Sequence, residues 1–463
     1  MPKPSLHERY LEFHAGSRAV FAQYPELEPL RFFVFRQLLI KGRGDGLKDS
    51  AKRWLRPLLK TARTRLDGRR ADVLVWVETR REVIDEALLP VYRALVARGI
   101  STELMSYDRS TPPAAPARVF EFPARARSPQ WAAEAWEALC DGAPGLCRRD
   151  LARSFAHSAA MLQGLYDELD RLLASVRPQV ILCAATQPIG GAALMVTARR
   201  RGITALLLQH GMPGPDFIPL LADAMLMWGP SSAHTVVSLG LPRSRVLTLG
   251  SPRHDSMRPC GDGRARATLL SALGLSDRPT FVFFSQGHDR DGLGDAVVEC
   301  MGWLERAAAR YADAVNFVVR LHPNEDGALY RGCRHLTVMN RAVDLRVTLE
   351  GCDWIGSLCS TVLYDGLLYG RPAWQFYADD WPVYIDNWKT GLASRVSSEQ
   401  HLVDMVSRVL SSGVPPGVDD ALIARVFANH GRATQAVADV VSARLGTEQP
   451  RTQAWETTCD RSC

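Results

Sequence analysis

His210, His322 and the pair Ser360-Thr361 each stand where an apolar run stops abruptly in polar residues. Such runs read as buried strands, and ligands in open α/β sheets bind outside the carboxyl ends of their strands. In ITALLLQHG, Gly211 permits the turn that leaves His210 at a sheet edge. An imidazole there, titrating near pH ~6.5, can take a proton from an acceptor hydroxyl. In NFVVRLHP, Pro323 fixes the chain direction, and His322, with Arg320 two residues before it, can donate to a phosphate leaving group. Ser285, Gln286 and Gly287 close the run FVFFSQG, where backbone amides and a small hydroxyl can cradle phosphate oxygens. Ser360 and Thr361 sit at a strand-to-helix junction, so their hydroxyls and the free amides of the first turn make an anion site. Asp365, further along that helix, is placed to receive a ribose or sugar hydroxyl. Each motif has a structural alternative: a hydrogen-bonded turn histidine, a histidine before proline, a serine N-cap, a first-turn acid favoured by the helix dipole.

These ends belong to two series of alternating strands and helices. The first opens with ADVLVWVETR, an apolar run whose end leaves Glu78 as a second candidate base. A helical period follows over 82–98, strands over 102–107 and 118–122, helices over 129–140 and 150–176, and further strands from Val180, Ile203, Ala224 and Arg245. Alternation of this kind argues for a parallel sheet wrapped by helices, a first Rossmann-like domain over 71–250. SPRHDSMRPCGDG (251–263) has the proline, glycine and charge of a connector. The second series runs through PTFVFFSQG, NFVVRLHP, HLTVMN, CDWIGSLCS and RPAWQF to helices over 402–410, 421–429 and 433–445, giving a domain over 264–446 and a polar, flexible tail over 447–463. The expected fold class is therefore α/β, two doubly wound domains facing across a cleft lined by the polar strand ends.

Residues 1–70 read as a helical extension with a dense basic run from Lys41 to Arg70. In LKDSAKRWLRPLLKTARTRL apolar residues recur at three or four, with Lys and Arg on the other faces, so the segment can lie on anionic lipid with Trp54 at headgroup level. The plainer alternative is a helix packed on the first domain, and Pro57 bends either version.

The chain has 463 residues, 46% of them hydrophobic and 23% charged, which implies two or three globular domains and not a disordered chain. A net charge of +6 suits an anionic substrate or surface without choosing between them. The 10 cysteines include no CxxC pair, so they read as buried hydrophobes or surface thiols in a reducing compartment. The amino terminus lacks an apolar signal core and no long uncharged apolar run occurs, which points to the cytoplasm. Nucleic acid is not an expected partner, because the basic residues cluster in one terminal segment without an aromatic-studded sheet motif.

Taken together, HG, WGPSS, GSPRHD, RLHPN and S-T-x-x-x-D-G-x-L-x-G-R-P resemble the two-domain GT-B transferases of bacterial surface polysaccharides, over roughly 180–376. The chain is most similar to CDP-glycerol glycerophosphotransferases of teichoic acid synthesis, and more loosely to sialyl- and Kdo-transferases that share an HP motif. The resemblance implies a GT-B fold, a CMP- or CDP-linked donor, a glycan or lipid-linked acceptor, no essential metal or other cofactor, and peripheral attachment to the inner face of the cell membrane. It makes His210 a candidate base and His322 a partner of the donor phosphate, and it aligns Ser360, Thr361 and Asp365 with the Ser-Ser-x-x-x-Asp motif. Gln209 stands where those relatives carry an aromatic residue, Thr361 replaces a serine, and Met212-Pro213-Gly214 departs from their pattern after HG. The implied mechanism is direct transfer, with His210 or Glu78 deprotonating the acceptor and second-domain donors stabilising the departing phosphate. The alternatives are a non-hydrolysing UDP-N-acetylglucosamine 2-epimerase and a non-catalytic nucleotide-binding member of a polysaccharide assembly complex.

Overall fold

The computed structural model describes residues 6–40, 70–78, 82–106, 118–119, 129–286, 294–322, 325–340, 342–379, 381, 386–413 and 418–446. The basic run over 41–69, the tail over 447–463, Gly287 and Pro323 lie outside the described residues. The chain divides into two compact units, one of Arg9–Asp255 with Phe427–Cys463, the other of Ser256–Val426 with Met1–Glu8.

The first unit holds a seven-stranded sheet in the order β3-β2-β1-β4-β5-β6-β7. Its strands are β1 (Val73–Val77), β2 (Thr102–Ser106), β3 (Arg118–Val119), β4 (Val180–Cys183), β5 (Thr204–Leu208), β6 (Ala224–Met227) and β7 (Val246–Thr248). Every pairing is parallel. Strands covered on both faces need apolar side chains on both, and VLVWV, VILC and TALLL are accordingly buried at every position. The second unit repeats the plan with six parallel strands in the order β10-β9-β8-β11-β12-β13. These are β8 (Thr280–Phe284), β9 (Asn316–Arg320), β10 (Thr337–Met339), β11 (Trp354–Ser357), β12 (Ala373–Phe376) and β13 (Ser394–Val396). Its core is aromatic: Phe281 lies within 5.4 to 5.8 Å of the rings of Phe317, Trp354 and Trp374, a spacing at which tilted and edge-on pairs attract.

The structure divides the chain differently from the sequence reading at both ends. Residues 9–40 are not an appendage, because Tyr10 donates to the Ile218 carbonyl at 2.7 Å and Tyr166 donates to the Glu26 carbonyl at 2.8 Å. A buried Arg31–Glu28 pair at 2.6 Å fastens this segment internally, with the guanidinium stacked 3.7 Å from the Phe21 ring. At the other end, the helix Ala433–Ala443 belongs to the first unit. Val437, Ala438 and Val441 join the core of β1, β4 and β5, and the Asp255 carboxylate accepts from the first-turn amides of Ala433 and Thr434 at 2.9 and 2.7 Å. An amphipathic period reveals that such a helix has a buried face, not which core receives it.

Gly250 makes the return possible. It adopts φ +96°, and a Cβ there would collide with the Ala428 carbonyl oxygen. Gly250→Ala is expected to cost about 2 kcal/mol, read as a lower urea midpoint at unchanged slope.

Candidate functional site

In each sheet two neighbouring strands send the chain off in opposite directions, β1 and β4 in the first, β8 and β11 in the second. The crevice at the carboxyl ends of such a strand pair is where doubly wound sheets bind ligands. The polar residues singled out above fall at or beside these two places.

In the first unit, Glu78 follows β1 and is 2% exposed. Its carboxylate accepts from the Trp76 indole N–H at 2.6 Å and from the backbone amides of Gly190 and Gly191, in the first turn of the helix Ile189–Arg200 that follows β4. Burial pushes its pKa up to about 7 even though all three donors favour the charged form. The glycines are required by that approach: a Cβ on Gly190 would lie 2.5 Å from Glu78 Oε1, and one on Gly191 would strike the Ala185 carbonyl. Glu78 thus fills the helix N-terminus with an internal carboxyl group. A carboxyl so enclosed is a latch between β1 and the helix, which counts against the substitute-base reading.

His210 follows β5 and is half-buried. Its position is set by Gln209, fully buried, whose side-chain oxygen accepts from the Trp228 amide at 2.8 Å and whose amide group donates to the Gly211 carbonyl at 2.8 Å and to Ser232 Oγ at 3.1 Å. The Trp228 indole returns a bond to the Gln209 carbonyl at 2.9 Å. Gln187, beyond β4, donates to Asp216 at 2.9 Å, and the Phe217 ring stands edge-on 6.4 Å from the His210 ring.

In the second unit, Ser285 and Gln286 follow β8. Ser285 Oγ donates to Glu325 Oε1 at 2.8 Å and lies 2.6 Å from the Tyr330 hydroxyl, while the other oxygen of Glu325 accepts the backbone N–H of His322 at 2.6 Å. Burial pushes the Tyr330 hydroxyl above its ordinary range, so it stays protonated and donates to Ser285. One carboxylate therefore ties the end of β8 to the segment after β9. Gln286 ties β8 to β11, accepting from the Cys359 amide at 2.9 Å and its thiol at 3.0 Å. Ser360 and Thr361 are half-buried at the start of the helix Val362–Leu368, where Ser360 Oγ accepts the Val362 amide at 3.3 Å.

Two expected members behave differently. The Arg320 guanidinium donates to the Val343 carbonyl at 2.6 Å and Thr348 Oγ1 at 2.8 Å, bracing β9 against the helix Leu345–Gly351. Asp365 is 1% exposed inside its own unit. Sequence pattern alone does not single out Glu325 or Tyr330. The available signal was an acid three residues after a histidine, indistinguishable in sequence from any loop acid. Removing the bridge by Glu325→Ala is expected to lower stability by about 2 kcal/mol, seen in urea melts, because Ser285 and the His322 amide both lose a charged acceptor.

Among the described residues no group of three or more His, Cys, Asp or Glu has the geometry to hold a metal ion, and no helix is long and apolar enough to cross a membrane.

No family model matches the chain, and no curated protein matches it. Solved structures do. UDP-GlcNAc 2-epimerase from Neisseria meningitidis, bound to UDP-GlcNAc, is 13% identical and aligns over 80% of this chain and 99% of its own, with a TM-score of 0.51. S. aureus MnaA in a structure with UDP is 12% identical over 82% of this chain and 98% of its own, with a TM-score of 0.53. The wall teichoic acid polymerase TagF is 13% identical over 82% and 90%, with a TM-score of 0.47, too loose a superposition to carry an argument. At such identities the likeness establishes the fold, two Rossmann-like units of the GT-B class, and nothing finer.

Proposed function

We propose that this chain is a transferase of surface-polysaccharide synthesis, a glycosyltransferase or glycerophosphotransferase that moves a group from a nucleotide-activated donor, CMP- or CDP-linked, to a glycan or lipid-linked acceptor. The observation that carries the reading is the Glu325 bridge, which holds Ser285 and the backbone of His322 together beside the β8–β11 crevice. In this reading the His322 imidazole donates to the departing phosphate, with Gln286, Ser360 and Thr361 around it, and a donor fixed in advance stabilises charge as it develops. His210 takes the proton of the acceptor hydroxyl; its backbone neighbours are clamped, so little ordering is left to do on binding. Glu78 supports the first unit's edge. Capsule, O-antigen and teichoic-acid-like polymers are the acceptor classes this chemistry serves. Attachment to the inner face of the membrane through residues 41–70 belongs to the same proposal.

A second reading, a UDP-N-acetylglucosamine 2-epimerase, is favoured by the likeness to two proteins with UDP-sugar or UDP bound at TM-scores above 0.5. One experiment separates the two. Incubated with CDP-glycerol, CMP-sugars or UDP-GlcNAc, the transferase releases nucleotide only when an acceptor-bearing membrane extract is added. The epimerase converts UDP-GlcNAc to its epimer with no acceptor present, and that result would replace the proposal.

A further inference from the structure

Away from both crevices, two cysteines lie together at a corner of the first unit. Cys140 is near the end of the helix Trp131–Gly142, and Cys147 precedes the 28-residue helix Arg149–Val176, with a short 3-10 turn, Pro144–Leu146, between them. The Cys147 thiol donates to the Cys140 carbonyl oxygen at 3.7 Å, across the turn that separates the two residues. Both are free; Cys147 is exposed and Cys140 half-buried. They line an open depression of about 340 Å³ together with Trp136, Asp141, Arg148 and Arg149.

We propose that Cys140 and Cys147 form a redox-sensitive thiol pair that closes to a disulfide when hydrogen peroxide reaches the depression. The exposed Cys147 sulfur attacks one peroxide oxygen, breaking the O–O bond to give a sulfenic acid and releasing water once the leaving hydroxide is protonated. The Cys140 sulfur then attacks the sulfenic sulfur, and a second water leaves with the Cys140 proton. Two thiols and one peroxide thus become one disulfide and two waters. The division of labour follows from exposure: Cys147 is open to solvent, whereas burial, with the neighbouring Cys147 adding to it, pushes the half-buried Cys140 thiol up to about 12 and leaves Cys140 the resolving partner. The Cys147 thiol already touches the Cys140 main chain and both residues line one depression, so closure is a local rearrangement of the turn between them.

Closure would fasten the corner on which the amino-terminal segment rests. There a Cβ built on Gly142 would lie 3.0 Å from the Gly16 carbonyl oxygen, and Tyr24 donates to Glu134 at 3.1 Å.

The test is a peptide map of the full-length protein. Trypsin releases residues 128–148 as one peptide that contains Cys140, Cys147 and no other cysteine. After graded peroxide and alkylation, that peptide is expected to be lighter by two hydrogen atoms and unalkylated, and to take two alkyl groups once reduced. Cys147→Ser should leave Cys140 alkylatable throughout, whereas Cys260→Ser, removing a different exposed thiol, should change nothing. The proposal fails if both thiols stay alkylatable at peroxide concentrations that oxidise Cys260, or if Cys147 passes to the sulfinic acid with Cys140 unmodified. Either result can be read from the wild-type protein alone.

Discussion

His322→Ala is expected to lower turnover about 10²- to 10³-fold, the loss typical of removing one fixed donor to a developing oxyanion. The effect should fall on kcat more than on KM, because the interaction strengthens as the leaving phosphate gains charge. Folding should be nearly unaffected. His322 is half-buried, and the bond that anchors its loop uses its backbone N–H, which alanine retains. A variant that melts normally and transfers at the wild-type rate would remove His322 from the chemistry while leaving the fold intact.

Glu78→Gln is expected to change the pH dependence of stability. In the folded protein the Glu78 carboxyl is pushed up to about 7 by burial, from an ordinary value of 4.5. Between those pH values the folded state keeps a proton that the unfolded state has lost. Its contribution is therefore complete below pH 4.5 and is lost as pH rises through about 7, a change on the order of 3 kcal/mol. His14 works in the opposite sense. Burial, assisted by Arg31 and Arg18, lowers it to about 4 from 6.5, so below pH 6.5 the unfolded state takes up a proton that the folded state refuses, and stability rises with pH across that window. The two slopes oppose each other in the wild-type protein. Urea melts between pH 4 and 7.5 should accordingly show a stability that climbs with pH in Glu78→Gln and is flatter in wild type. Parallel curves would mean that Glu78 ionises as an ordinary surface acid and that the latch is misdescribed.

The sheets were legible where strands are buried on both faces, because VLVWV and TFVFF admit no other economical reading. β13 was not: Ser394-Arg395-Val396 has one apolar residue in three, and becomes a strand by pairing with β12. The return of the last helix to the first unit was equally invisible, since it depends on Asp255 meeting amides some 180 positions away. Within each unit, the change from apolar to polar marks where a strand leaves the core, and it placed His210, Ser285, His322 and Ser360 just beyond strand ends. What a side chain does there depends on its neighbours in space. Arg320 spends bonds on Val343 and Thr348, Asp365 turns inward, and Glu325 becomes a bridge, none of which a one-dimensional pattern contains.

In the proposed function the carboxyl edge of the second sheet, with His322 in it, holds the phosphates of a nucleotide. Melting midpoints of the wild-type protein and of His322→Ala, each recorded with CMP, CDP, UDP and GDP, test it most directly, since a ligand that binds the native state raises the midpoint. A rise with cytidine nucleotides is expected in the wild-type protein and a much smaller one in the variant. No response to any nucleotide, or an equal rise in both proteins, would contradict it.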